Sequence, residues 1–169
     1  MPFELQPNLE SDLLEIRPLR DEDFDALFAV ASDPLLWEQH PCNDRWKREV
    51  FEKFFQDAMD SGGALIVLDR SSERVIGSSR YHGYDEAKSE IEIGWTFLAR
   101  SHWGGVYNGA MKRLMLDHAF RFVDNVVFWI GVDNARSRRA LEKIGGVLLG
   151  PRLNAEGRNC VVYRIQALR

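Results

Sequence analysis

A chain of 169 residues with 45% hydrophobic and 28% charged side chains is long enough to bury a real core and has the make-up of an ordinary globular protein. Its formal net charge of −4 argues against nucleic-acid binding by bulk electrostatics, and no apolar run nears the ~20 residues of a membrane-spanning helix. The two cysteines, Cys42 and Cys160, lie far apart and form no CxxC redox or zinc motif. The N-terminal residues lack the basic and apolar regions of a secretion signal, so the expected compartment is a reducing cytoplasm.

In chain order, residues 13–19 read as an opening strand closed by Pro18. Acids at 21–23 mark a helix start, and Phe24, Leu27, Phe28 and Ala31 give the buried face of a first helix. After an aromatic-containing connection, Asn43 or Asp44 is the expected cap of a second helix. Its buried side is Val50, Phe51, Phe54, Phe55 and Ala58, and it stops at Gly62-Gly63. Residues 64–68 and 75–81 form a predicted hairpin, followed by a polar loop over 82–88 that holds His82.

The next stretch alternates. Ile91, Ile93, Trp95 and Phe97 are expected on one face of a strand, with Glu90, Glu92, Gly94 and Thr96 on the other. A loop containing Gly104-Gly105 leads into a third helix with Tyr107, Ala110, Met111, Leu114, Met115, His118, Ala119 and Phe122 on its apolar side. A strand, a glycine turn and a helix N-terminus together suit an anion, because unpaired backbone N–H groups and the positive end of the helix dipole converge there. Residues 125–132 read as an interior strand and Asp133-Asn134 as the start of a fourth helix ending at Gly145-Gly146. Residues 147–149 and 159–167 close the chain as strands. The expected fold is a mixed α/β layer domain spanning 1–169, in the order β-α-α-β-β-β-α-β-α-β-β, with about four helices flanking a central mixed sheet.

Five short motifs occur in order on these elements. They are Arg17-Pro18-Leu19 with Asp23; Glu92-Ile93-Gly94-Trp95; Trp103-Gly104 with Tyr107; Asn134-Ala135-Arg136-Ser137 with Glu142-Lys143-Ile144-Gly145; and Gly157-Arg158 with Val162-Tyr163. Together they resemble the GNAT N-acetyltransferase superfamily, and more narrowly its RimJ/RimL-like branch of ribosomal-protein N-terminal acetyltransferases. The resemblance implies transfer of an acetyl group from acetyl-CoA to a primary amine by direct attack in a ternary complex. The amine belongs to a protein N-terminus or a small molecule, and the enzyme is a monomer or homodimer that uses no metal.

The resemblance also implies roles. Backbone groups of Trp103, Gly104, Gly105, Val106, Tyr107 and Asn108 would cradle the CoA pyrophosphate. Phe97 and Leu98 would pair their backbone with the pantetheine arm, Asn134 would bond to it, and Arg139 would face a CoA phosphate, with Arg136 and Arg138 beside it. Glu92 is the candidate general base, because only the unprotonated amine attacks, and His82 is a reserve. Ser137 is the candidate acid for the leaving thiolate, since the position seven residues after Asn134 is Leu141 and offers no hydroxyl. Trp37, His40, Trp46, Tyr81 and Tyr84 are expected near the amine. The sequence departs from the superfamily pattern at Ser101 and Val106. The alternative reading is therefore a non-catalytic module of the same fold that binds acyl-CoA or a protein partner.

Overall fold

Strand β3 (Ala64–Asp69) is apolar as far as Leu68 because both of its faces are covered: Leu65 and Val67 pack with one buried cluster, Ala64 and Ile66 with another. A computed structural model describes residues 2–168. It builds one eight-stranded sheet in the order β1-β2-β3-β4-β5-β6-β8-β7. The strands are β1 (Leu9–Glu10), β2 (Leu14–Pro18), β3, β4 (Arg74–Asp85), β5 (Glu90–Leu98), β6 (Asn125–Gly131), β7 (Val147–Leu153) and β8 (Asn159–Gln166). All neighbours are antiparallel except β5 and β6.

The helices are α1 (Phe24–Ala31), α2 (Arg48–Ser61), α3 (Tyr107–Ala119) and α4 (Ala135–Lys143). Helices α1 and α2 cover one face with Leu27, Phe51, Phe54, Phe55 and Ala58. Helix α3 covers the other with Met111, Met115 and Ala119, which meet Leu14, Ile16, Ile91 and Ile93.

Several boundaries differ from those expected. The two-residue β1 precedes the predicted first strand. Helix α2 begins after Lys47, not at Asn43 or Asp44, and residues 42–47 form turns that leave Trp46 exposed outside the helix. Strand β4 runs on to Asp85, so His82 is a strand residue paired with Glu92 and not part of a loop. Strand β7 extends to Leu153, through the predicted link.

The most consequential difference lies in β5. Ser78 pairs with Phe97 but Arg80 pairs with Gly94, so β5 carries an extra residue, and Trp95 takes the left-handed φ of 52°. This bulge reverses the alternation. Ile91 and Ile93 face α3 as expected, whereas Trp95 and Phe97 pack on the α1/α2 side.

Candidate active site

The parallel strands β5 and β6 pair only at Glu90–Asn125, Ile91–Val126 and Glu92–Val127. Beyond those residues they separate, because the bulge at Trp95 turns the end of β5 away while β6 stays zipped to β8 as far as Gly131–Cys160. The result is a wedge-shaped cleft with unpaired backbone along β5. Gly131 closes one side: a Cβ there would stand 2.2 Å from Pro41 Cγ, so only glycine lets the 38–47 segment lie against the end of β6.

At the far end of the cleft sits the glycine turn. Its approach is pinned by His102 Nε2 against Asp69 Oδ2 at 3.1 Å, by an ion pair between Arg100 and Asp33, and by the Trp103 indole N–H donating to the Leu98 carbonyl at 2.9 Å. Gly104 adopts φ 71°, which a side-chain-bearing residue resists, and a Cβ on Gly104, Gly105 or Gly109 would meet nothing within 4 Å. Helix α3 follows with no side-chain cap at Val106. Among the described residues no acceptor takes the N–H groups of Gly104, Gly105, Val106, Tyr107 or Asn108. These residues therefore fit a pyrophosphate: the donors are free and open to approach at a helix N-terminus. The Val106 side chain is 63% exposed and leaves the turn open.

Helix α4 borders the other wall. Asn134 is 5% exposed, and its Oδ1 accepts from the Ser137 N–H at 3.4 Å as an N-cap. Its Nδ2 has no acceptor among the described residues. Asn134, Ser137, Thr96, Phe97, Leu98 and Trp103 line a cavity of only about 30 Å³, because Arg136 lies over Trp103 with Cζ 3.4 Å from the ring centroid. Of the three arginines on this helix, Arg136 thus faces the cleft. Arg138 turns back to Tyr163 and the Val132 carbonyl, and Arg139 is exposed and lies outside the cavity lining. Leu141 is a core residue at 3% exposure.

Glu92 stands on the α1/α2 face where the two strands part. Its side chain is 19% exposed, and Oε1 lies 3.6 Å from His82 Nδ1. Burial raises its pKa from the ordinary carboxylate range to about 7, against the opposing pull of Arg80. A carboxylate poised near neutrality is what a general base for an ammonium needs. His82 is half exposed and packs edge-on to Trp95, giving the carboxylate a neighbour that reaches water.

The expected aromatic surround is only partly assembled. Trp37 is 1% exposed with its N–H donated to Ala31, and His40 packs beside it. Tyr81 points to the opposite side of the sheet and donates to the Met115 carbonyl, so it belongs to the core. Tyr84 packs in that same cluster, and Trp46 is exposed.

Three buried or half-buried cations escape a reading of the sequence. Lys112 is 7% exposed beneath the splayed strands. It donates to Thr96 Oγ1 at 3.3 Å and lies 5.3 Å from the Phe128 centroid; burial alone lowers its pKa to about 8. Arg80 and Arg45 lie on the Glu92 side. No periodicity signals them. Lys112 occupies a helix phase that reads as a polar edge, and it is buried only because the cleft lies below it.

A larger concavity, about 910 Å³, lies elsewhere, between α1 and residues 72–76 and 99–102. Of the charged groups at its rim, Asp33 pairs with Arg100 and His102 with Asp69, and Glu73 and Arg74 also line it.

Residues 14–147 match the family described as the acetyltransferase (GNAT) domain, and the chain belongs to that family. Solved structures show the same fold. A GCN5-related N-acetyltransferase from Brucella melitensis aligns with a TM-score of 0.86 at 20% identity, over 98% of this chain and 80% of its own. A probable GNAT-family acetyltransferase from Chromobacterium violaceum gives 0.84 at 18% identity, over 98% and 88%. Mycobacterium smegmatis RimJ in complex with CoA-disulfide gives 0.72 at 17% identity, over 96% and 87%. No curated protein matches the sequence. Among the described residues no helix is long and apolar enough to cross a membrane.

Proposed function

We propose that this chain is a single-domain, acetyl-CoA-dependent N-acetyltransferase of RimJ/RimL type, acting in the cytoplasm on a primary amine of a protein N-terminus or a small molecule. The observation that carries this reading is Glu92, a carboxylate held near pH 7 at the point where β5 and β6 part, with an open N–H cradle at the far end of the same cleft. Acetyl-CoA supplies the activated acyl group and a thiol leaving group.

The chain's residues do the rest. The N–H groups of residues 104–108 hold the pyrophosphate, and the edge of β5 at Phe97 and Leu98, which has no strand partner on the β6 side, aligns the pantetheine arm. Asn134 offers Nδ2 to that arm while Oδ1 keeps the helix capped. Arg136 swings off Trp103 to admit it and faces phosphate or solvent afterwards. Glu92 takes the proton of the incoming ammonium. The amine then forms a C–N bond to the acetyl carbonyl carbon and the C–S bond breaks; the nitrogen gives up its second proton to water, and the thiolate takes one from water directly or through the Ser137 hydroxyl, which is reprotonated from solvent, leaving amide and thiol. A monomer suffices for this arrangement.

The test is titration calorimetry of acetyl-CoA into the protein, followed by thiol release on a panel of peptide N-termini and small amines. Micromolar binding with amine-dependent release is expected. Binding without release across the panel would favour the non-catalytic module, and absence of binding by folded protein would overturn the cradle assignment.

Asn134→Ala should raise the acetyl-CoA dissociation constant about tenfold, the loss of roughly one buried hydrogen bond, and lower stability by about 1 kcal/mol through the lost cap. An unchanged dissociation constant would remove Asn134 from the binding surface.

A further inference from the structure

Two guanidinium groups share one aromatic ring on the face of the sheet that presents Glu92. Arg45 Cζ lies 4.6 Å, and Arg80 Cζ 5.8 Å, from the centroid of Phe54. Arg80 also lies 4.3 Å from the Trp95 centroid and Arg45 5.6 Å from that of Trp37. Arg80 is 5% exposed, and its Nε is buried without a hydrogen-bond partner. Among the described residues neither arginine has a carboxylate within salt-bridge distance.

Such a pair is unfavourable as it stands. A buried guanidinium without an anion carries an unrecovered desolvation cost, and two like charges over one ring repel each other. Stacking on Trp95 and Phe54 offsets only part of this. The nearby protein groups do not complete the site. Glu92 is only partly ionised near neutrality, and Asp57 pairs with Lys53 at 3.2 Å; both act on Arg80 only from beyond salt-bridge distance, as Asp44 and Glu156 act on Arg45. His40 stays uncharged, its pKa pushed down to about 3 by burial and by Arg45, Arg158 and Arg136. Arg158 adds a further cation at the rim, donating to Cys42 Sγ at 2.7 Å. A cofactor phosphate at the α3 N-terminus is not the missing anion, because α3 packs on the opposite face of the sheet from Phe54.

We infer that the acceptor amine carries an anionic group of its own, a carboxylate or phosphate, which Arg80 and Arg45 bind while the amine faces Glu92. This rests on the acetyltransferase reading of the site. The acyl transfer itself is the one described above, with no further reactant. A planar guanidinium fork suits either anion.

The experiment compares matched amines that differ in charge: amino acids against their amides, and O-phosphoethanolamine against ethanolamine. Each is titrated calorimetrically into CoA-saturated protein, and each is assayed for thiol release with acetyl-CoA. At least one anionic series is expected to bind tenfold or more tightly than its neutral partner, and the series that wins identifies carboxylate or phosphate. Arg80→Gln should bring that ratio to within about threefold of unity while acetyl-CoA affinity is kept. Arg45→Gln, at a half-buried position that tolerates polar replacement, should lower the same ratio. Equal binding of anionic and neutral members, or a ratio that survives both substitutions, overturns the proposal. Anion-selective binding without thiol release keeps the anion site and removes the transferase reading; thiol release without selectivity does the reverse.

Discussion

Glu92→Gln is expected to lower kcat/KM for the amine by about 10²–10⁴-fold, the usual contribution of a positioned general base, with acetyl-CoA affinity left intact. The two effects separate because the carboxyl stands at the mouth of the splayed strands and the cradle lies beyond the end of β5. In the parent protein activity should rise with pH through about 7 as Glu92 ionises, and the variant should lose that limb of the profile. A variant with the same pH limb and rate would remove Glu92 as the base.

The same carboxyl also predicts a stability signature. Its pKa in the folded protein lies above the unfolded value, so the folded state holds the proton more tightly. The associated stability is fully present below the ordinary carboxylate range and is lost as pH rises through about 7. Above that pH the parent bears a buried carboxylate, at a cost on the order of 2–3 kcal/mol, which Gln avoids. Glu92→Gln should therefore melt higher than the parent at pH 8 and near the parent at pH 4.5. A difference independent of pH would indicate that Glu92 is not held protonated by its surroundings.

Gly77→Ala is expected to be the most damaging small substitution for the fold. An added Cβ would stand 2.0 Å from the Phe97 carbonyl oxygen and 2.9 Å from Leu98 Cδ2, with backbone as the immovable partner. Relief requires β4 and β5 to move apart where the bulge sets the cleft. Overpacking of this kind costs about 3 kcal/mol, or roughly a 6–12 °C fall in Tm for a chain of this size. It should weaken acetyl-CoA binding as well, since Phe97 and Leu98 form the cleft edge. Gly105→Ala is the contrast: nothing lies within 4 Å of its would-be Cβ, and thermal stability should change by no more than about 0.5 kcal/mol. Thermal melts of the two variants side by side test the pair, and equal melting temperatures would contradict it.

Much of this was legible from local signals. The apolar stripes of α1 and α3, the apolar run 64–68 of β3 and the cap at Asn134 follow from side-chain periodicity and hydrogen-bonding chemistry confined to neighbouring residues. The glycine turn between β5 and α3 was visible for the same reason, and so was Glu92 on the face opposite Ile91 and Ile93. The start of α2 is not legible in this way. Asn43 and Asp44 are good caps in isolation, but packing of Pro41 against Gly131 and stacking of Arg45 on Phe54 hold residues 42–47 in turns. The polar neighbours of His82 read as a loop, yet pairing with β5 extends β4 through it.

The sequence alone determined which segments are helix or strand, which faces are apolar, and which short motifs stand at their ends, because those are properties of residues a few positions apart. Tertiary structure decided the rest. The bulge at Trp95 arises from the register between β4 and β5 and reverses half of a strand that alternates perfectly on paper. That reversal parts β5 from β6, buries Lys112 beneath the gap, and leaves Arg80 and Arg45 facing the same side as Glu92. The perturbed proton affinity of Glu92 has the same origin. It comes from desolvation by residues distant in the chain, and desolvation is a property of the folded surroundings that no single stretch of sequence carries.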